Sequence, residues 1–281
     1  MRIYLSADIE GVAGIAHLPS TGPGRFEYDL GRKWMTEEVV AAIEAVKEMG
    51  ATEIVVSDGH GSAHNLLLDS LPADVRVVRS WPRPFIQMQG VESGPYEAVI
   101  LIGHHASNMS QDGILAHTYT LAFRDIKLNG VSQSETSLNA LLAAHFNIPV
   151  IFSSGDEAYI RHCRDVLGNI ETVVTKFPCG YTAASTLMPK AAQKEIHAGV
   201  KRAMARRHEI KTLSLPKTYS LSLEFNDRSQ PEMWEYLPWV QRGGAYTINV
   251  ELSDMTEVMK FIAFAAFYQP TGVPTYGFKV S

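Results

Sequence analysis

Short runs of apolar, strand-favouring residues alternate with longer helical patterns through the first part of the chain. This alternation is typical of βα units around a mostly parallel sheet. The runs predict strands at residues 2–7, 53–57, 75–78 and 98–103. Between the first two strands, apolar residues recur three and four positions apart. They predict a helix that is capped by Thr36, ends at Met49 and is stopped by Gly50.

The pattern changes after Gly103, where two short strands, 116–123 and 126–128, are predicted around a tight turn. Asn129-Gly130 marks a further turn, so an antiparallel appendage is expected here. Beyond it, the patterns predict helices at 134–145, 157–167, 189–206, 231–236 and 254–268, and strands at 150–153, 171–176, 220–225 and 245–250. The predicted fold class is α/β: a mostly parallel central sheet flanked by helices, with a second smaller α/β lobe or antiparallel appendage.

The domain organisation follows from length and composition. A chain of 281 residues that is 46% hydrophobic can bury a large core, and we expect a single unit over residues 1–281. The composition shifts near residues 107–113, and a lobe boundary is expected near residues 107–125. A functional loop explains that shift equally well.

Charge, hydropathy and cysteine content exclude several classes of function. A net charge of -5 and a pI near 6.1 argue against a nucleic-acid-binding protein, which normally carries clustered Lys and Arg on one face. No uninterrupted apolar stretch approaches the roughly 20 residues that span a bilayer. The N-terminus continues directly into a predicted strand without the sections of a signal peptide, so a cytoplasmic location is expected. Cys163 and Cys179 are too few for a disulfide framework or a Cys-rich zinc site.

Acidic and imidazole side chains follow three of the predicted strands. Asp8 and Glu10 end the first strand and share one side if the chain stays extended. His60 follows the second strand, and His104 and His105 follow the fourth. The carboxyl ends of parallel strands meet at one edge of a sheet, so these groups are expected to converge.

Such a mixed nitrogen and oxygen set suits Zn²⁺, although ligand type alone does not distinguish it from Mn²⁺, Co²⁺ or Fe²⁺. Burying two unpaired carboxylates is costly, which makes a cation their natural partner. Taken singly, Asp8 and Glu10 are explained by capping or ion pairing, and His60 by an ordinary turn. Their occurrence together at three strand ends favours the metal site.

At these residues the sequence resembles the D-aminopeptidase family of zinc metallopeptidases, over nearly the whole chain. The matching segments are Asp8-Ile9-Glu10-Gly11 for the family's D-x-E-G motif, Met35-Thr36-Glu37-Glu38, Asp58-Gly59-His60, the Gly-x-His-Ala pattern at Gly103-His104-His105-Ala106, and an acidic residue, Glu135, that opens a later helix.

The resemblance implies two divalent metal ions per chain, expected to be zinc. Asp8 would bridge them, with Glu10 and His60 completing one metal site and His105 and Glu135 the other. Adjacent histidines point to opposite sides of an extended chain, so only one is expected to face the metal. A shift of one residue would select His104 instead.

The resemblance also implies that His117 is the catalytic residue, as general base, general acid, oxyanion donor or nucleophile. A structural place in the predicted strand 116–123 is the alternative for this histidine. Metal-bound imidazoles usually donate their second N–H to an acceptor, and Asp58 is the candidate for that role.

The implied activity is removal of an N-terminal D-amino acid, such as D-Ala, from short peptides. The implied assembly is a homodecamer of two stacked pentameric rings. Two alternatives stay open: another two-metal hydrolase, an amidase or a phosphoesterase, and a non-catalytic metal-binding homologue. A phosphate substrate would favour a basic clamp, and Arg124 is the one basic residue near the motif segments.

Overall fold

The computed structural model describes residues 1–267. Its strands are β1 (Arg2–Ala7), β2 (Glu53–Asp58), β3 (Val75–Val78), β4 (Ala98–His104), β5 (Phe123–Leu128), β6 (Val131–Ser132), β7 (Val150–Asp156), β8 (Glu171–Gly180), β9 (Ala183–Thr186), β10 (Tyr219–Phe225), β11 (Gln241–Arg242) and β12 (Thr247–Leu252). Its α-helices are α1 (Tyr28–Glu48), α2 (Glu135–His145), α3 (Glu157–Leu167), α4 (Pro189–Arg206), α5 (Ser229–Trp234) and α6 (Met255–Phe267).

The strands form two sheets. The larger has the order β3-β2-β1-β4-β7-β8-β9, in which every neighbouring pair is parallel except β8 and β9. The smaller has the order β11-β12-β10-β5-β6 and is antiparallel. The predicted α/β class, with a mostly parallel sheet and an antiparallel appendage, is therefore confirmed.

Both faces of the larger sheet are covered, as a parallel sheet requires. Alternation along β1 sends Ile3 and Leu5 into one core, which α1 and α4 share, while Tyr4 enters the other. That second core is built with α2, α6 and the smaller sheet. No helix within the described residues is long and apolar enough to cross a membrane.

The first helix begins at Tyr28, so the predicted N-cap at Thr36 is wrong. Tyr28, Gly31 and Met35 are buried at spacings of three and four, and extend the apolar face upstream. The Thr36 hydroxyl donates to the Arg32 carbonyl at 2.7 Å, within the helix. The same hydroxyl that serves at a cap can thus bond one turn back inside a helix.

The predicted strand at residues 116–123 is also wrong. Apart from a single bridge between Thr118 and Thr120, this segment is a loop, and pairing begins at Phe123. Leu115 and Tyr119 have φ of +53° and +59°, which an extended strand excludes.

The predicted single unit with a boundary near residues 107–125 stays a prediction. Residue 268 of the last predicted helix lies outside the described residues.

Candidate metal centre

The ends of β1 and β4 meet through their backbones. The Gly11 N–H donates to the Gly103 carbonyl at 2.8 Å. Gly103 has a φ of +69°, and a Cβ there would collide with the Asp8 carbonyl. Only glycine tolerates both conditions, so Gly103 allows the two strand ends to approach. Asp8 and Glu10 are consequently buried beside the two histidines at the end of β4, His104 and His105.

His60 lies in the turn after β2 and faces both acids that follow β1. Its Nδ1 is 3.0 Å from Glu10 Oε2 and 3.3 Å from Asp8 Oδ1. Its Nε2 is 2.7 Å from the Thr21 carbonyl oxygen. A carbonyl only accepts, so Nε2 carries the hydrogen and the neutral ring presents Nδ1 to the acids.

The sequence predicts that Asp58 accepts the second N–H of a metal-bound imidazole, but the Thr21 carbonyl takes that role for His60. Its carboxylate accepts hydrogen bonds from the Asn65 side chain and from the backbone N–H groups of Asn65 and Leu66. Asn65 also donates to the His60 carbonyl at 2.7 Å. Asp58 therefore shapes the turn that carries His60, whereas the Thr21 carbonyl orients the imidazole.

His105 occupies the centre of the cluster. Its Nε2 is 3.5 Å from Asp8 Oδ2 and 3.5 Å from Glu135 Oε1. Its Nδ1 is 2.9 Å from the Ala106 carbonyl oxygen, which leaves Nε2 as the free nitrogen of the neutral ring. Asp8, Glu10 and His105 each offer an atom within 4.8 Å of the others.

His104 also reaches the cluster, contrary to the expectation that only one of the adjacent histidines faces it. Atoms of Asp8, His104 and Glu135 lie within 4.8 Å of one another. The register of β4 against β7 shifts between Leu101 and His104. A bulge of this kind interrupts the strict alternation of side chains, so both imidazoles can approach the acids.

Glu135 enters the site from the first turn of α2. The Ser134 hydroxyl caps this helix by accepting the Ser137 N–H, and the Ser134 N–H donates in return to the Ser137 hydroxyl. Glu135 Oε1 accepts the backbone N–H of Tyr119 at 2.6 Å. The well-defined helix start aims this buried carboxylate at Asp8 and His105.

Gln87 joins the two halves of the site, and sequence reasoning did not single it out. Its Nε2 donates to Asp8 Oδ2 at 2.8 Å and to Glu135 Oε2 at 2.5 Å. Its Oε1 accepts from Asn139 Nδ2 at 2.8 Å. Asn139 lies four residues after Glu135, so helical spacing placed it on the same face. Nothing in the pattern around Gln87 indicates its role.

His117 lies in the loop that follows β4. Its ring stacks on that of His105, with centroids 4.1 Å apart and planes inclined by 10°. Its Nδ1 is 2.9 Å from the Leu115 carbonyl oxygen, so the neutral ring keeps Nε2 free to accept a proton. His105, His117 and Glu135 form a further group whose atoms lie within 4.8 Å.

The charges of the site favour a cation. Burial would lower the pKa of His105, yet Glu135, Glu10 and Asp8 raise it to about 9. Burial likewise opposes the charge on His60, but Glu10 and Asp8 raise its pKa well above the ordinary value. The negative charge of the three carboxylates thus strengthens proton binding by the imidazoles, and the same negative charge attracts a divalent metal ion.

Unsatisfied buried atoms show that the residues fit such an ion. Glu10 Oε2, His105 Nε2 and both ring nitrogens of His104 are buried and have no hydrogen-bond partner among residues 1–267. A buried polar atom left unpaired costs about 1–3 kcal/mol. Carboxylate oxygen and imidazole nitrogen are the usual ligands of zinc, so coordination would satisfy these atoms.

Glu38 supports the chain next to Glu10 and gives a pH-dependent prediction. Its Oε1 accepts the Ala13 N–H at 2.9 Å, and burial raises its pKa from 4.5 to about 8. Between these values the folded state keeps a proton that the unfolded state loses, so the free energy of unfolding falls as pH rises. Glu38→Gln is expected to flatten this fall, measured by denaturant unfolding at about pH 5 and about pH 8.

Glu44→Gln is the matched control, because Glu44 lies exposed on the same helix. Its pH dependence should follow that of the wild type. Equal pH dependence in Glu38→Gln and the wild type would contradict a buried, protonated Glu38.

The strand ends of this α/β sheet bring three carboxylates and several imidazoles into a buried cluster, beside a histidine with one free nitrogen. This fold and this site define a metal-dependent hydrolase. The chain belongs to the D-aminopeptidase family, whose model matches residues 1–264. It is 26% identical over 258 residues to the D-aminopeptidase of Bacillus subtilis (strain 168), covering 92% of this chain and 93% of that protein.

A solved structure has the same fold. It is the Zn-dependent D-aminopeptidase DppA from Bacillus subtilis, described as a self-compartmentalizing protease. The TM-score is 0.87 at 25% identity, with 96% of this chain and all (100%) of the other covered. The predicted family is therefore confirmed.

Proposed function

We propose that this protein is a zinc-dependent aminopeptidase that removes an N-terminal D-amino acid, such as D-Ala, from short peptides. The observation that carries the proposal is the buried group of Asp8, Glu10 and His105, next to Glu135 and His117, in a chain of the D-aminopeptidase family. The name of the solved relative supports zinc as the metal.

Two ions per chain would be held by five ligands. Asp8 would be shared between them, because its two oxygens face different histidines: Oδ1 faces His60 and Oδ2 faces His105. Glu10 and His60 would complete one ion site, and His105 and Glu135 the other. Zinc held there would supply Lewis acidity that polarises a carbonyl group and acidifies water.

The remaining steps belong to the side chains of the protein. The Leu115 carbonyl holds the His117 Nδ1–H, so Nε2 is the atom that takes a proton from the attacking water and returns it to the leaving amine. The Gln87 amide ties Asp8 to Glu135 and keeps the two carboxylates at a constant separation. The exposed Arg124 side chain pairs with Glu224 at 3.6 Å, which argues against its serving as a phosphate clamp at the buried site.

The proposal extends to assembly and location. The protein acts in the cytoplasm as a homodecamer of two stacked pentameric rings, as the family resemblance implies. In support, the solved relative is described as self-compartmentalizing. Phe26, Tyr236 and Trp239 are 85%, 76% and 61% exposed, and aromatic side chains are enriched at protein interfaces.

Metal-reconstituted protein is expected to hydrolyse D-Ala-p-nitroanilide in preference to its L-Ala counterpart. Chelation should abolish the activity and zinc should restore it, with about two zinc ions per chain by metal analysis. The assay includes p-nitrophenyl phosphate as the competing substrate.

Each alternative function gives a different result. Turnover of the phosphate ester alone would make the protein a phosphoesterase. Zinc binding without hydrolysis of any substrate would make it a non-catalytic homologue. About one zinc ion per chain at saturation would contradict the dinuclear centre.

A further inference from the structure

The backbone of residues 10–15, directly after β1, is held by side chains from distant elements. Lys176, a fully buried residue of β8, donates from Nζ to the carbonyl oxygens of Glu10, Val12 and Ile15. An ammonium group has three hydrogens and no acceptor, so this one atom satisfies three converging carbonyls. Those carbonyls come from a segment more than 160 residues earlier in the chain.

Other side chains complete this support. Thr175 Oγ1 donates to the Gly11 carbonyl at 2.6 Å, and Thr186 Oγ1 accepts the Gly14 N–H at 2.8 Å. Glu38 accepts the Ala13 N–H. We call residues 10–15 the Glu10 loop. Its backbone is thus bonded from β8, β9 and α1.

The Glu10 carboxylate depends on this backbone support. Asp8 is oriented by hydrogen bonds to its own carboxylate, from Gln87 and from the Ile9 N–H. Glu10 Oε2, in contrast, has no hydrogen-bond partner within the described residues 1–267, and it faces His60 Nδ1, itself a proposed ligand, at 3.0 Å. The direction of the Glu10 side chain therefore depends on the position of its backbone, which Lys176 contacts at the Glu10 carbonyl, together with the contact to His60.

We infer that Lys176 is a positioning residue of the metal centre: its contacts with the carbonyls of the Glu10 loop aim Glu10 at the metal. The inference rests on the proposed metal site. Burying a lysine is costly, and three carbonyl bonds offset that cost. Partners that orient metal ligands typically contribute 10–100-fold to metal affinity.

The test compares zinc affinities of the intact protein and a Lys176→Met variant, by competition with a chromophoric chelator. Met keeps the length and most of the volume of Lys but removes the ammonium donor from the three carbonyls, of which that of Val12 still accepts the Ile15 N–H at 3.2 Å. We expect zinc affinity to fall by about 10–100-fold at the ion held by Glu10. The visible spectrum of the cobalt-substituted protein should change as well. The KM for the peptide should change little at saturating zinc, since Lys176 does not face substrate.

Val173→Ala is the matched control, three residues upstream on the same strand. It removes buried apolar volume from β8 without a polar change, so it lowers stability and should leave zinc affinity and the cobalt spectrum unaltered. A folded Lys176→Met protein with wild-type zinc affinity and spectrum would overturn the inference, even where the wild type cleaves D-aminoacyl substrates.

A second variant serves if Lys176→Met does not fold. Thr175→Val keeps the shape of a buried side chain and removes a single donor to the Gly11 carbonyl. A fall in its zinc affinity of roughly 2–10-fold would support the inference that side chains of β8 position the Glu10 loop for metal binding. Wild-type affinity in this variant would overturn it.

Discussion

Asp8→Asn is expected to remove both metal ions and nearly all hydrolytic activity. Asp8 faces both histidine ligands with different oxygens, since Oδ1 is 3.3 Å from His60 and Oδ2 is 3.5 Å from His105. Burial would raise the pKa of Asp8, but the hydrogen bond to His60 and the charges of His105 and His60 hold it well below its ordinary value. The group is therefore an anion. Asparagine keeps the shape but replaces one anionic oxygen with an N–H₂ group.

The loss of zinc affinity and activity should exceed the loss caused by changing a residue that only orients a metal ligand. Zinc affinity is expected to fall by more than the roughly 10–100-fold typical of partners that only orient a ligand. kcat/KM is expected to fall by at least about 10³-fold, because both ions lose a shared ligand. Metal analysis after gel filtration and steady-state assays at added zinc measure the two effects.

Asp125→Asn provides a matched control. Asp125 is also a buried aspartate, but it lies on β5 and accepts a hydrogen bond from Ser132. Its substitution should leave zinc content and kcat/KM near wild-type values. If Asp8→Asn kept two ions and full activity, Asp8 would not be the bridging ligand.

His117→Ala is expected to separate catalysis from metal binding. With Nδ1 engaged by Leu115, the ring offers Nε2 for proton transfer, a role that typically contributes about 10²–10⁴-fold. We therefore expect kcat to fall by about 10²–10⁴-fold while zinc content stays unchanged. The five proposed ligands all remain in this variant.

The contrary outcome is specific, because His117 also lies within 4.8 Å of His105 and Glu135 in a group that could hold a metal ion. Loss of zinc in step with activity would make His117 a ligand rather than a proton carrier. His145→Ala, at the opposite end of the helix that begins with Glu135, is the histidine control and should retain both properties.

Much of the parallel sheet could be predicted because its information is local. Apolar runs located the first four strands, and their ends correctly brought Asp8, Glu10 and His60 towards one edge. Glu135 came only from the family resemblance, because a glutamate that opens a helix is common in any sequence.

Other parts of the site escaped sequence reasoning for identifiable reasons. Positive φ at Leu115 and Tyr119 turns the predicted strand around His117 into a loop, and side-chain hydrophobicity does not report φ. The register shift before His104 brings a second imidazole to the cluster. Gln87 bridges Asp8 and Glu135 from a segment without any periodic pattern.

The sequence by itself determined the α/β class, the strands that carry the first ligands and the family. Periodicity and short motifs encode these properties within a few residues of chain. The tertiary structure alone decided which nitrogen of each imidazole faces the acids, that Gln87 joins the two halves of the site, and that Lys176 supports the Glu10 loop. These contacts join residues from about 40 to more than 160 positions apart, except the bond of His105 to Ala106. They depend on how whole elements pack, which no local pattern records.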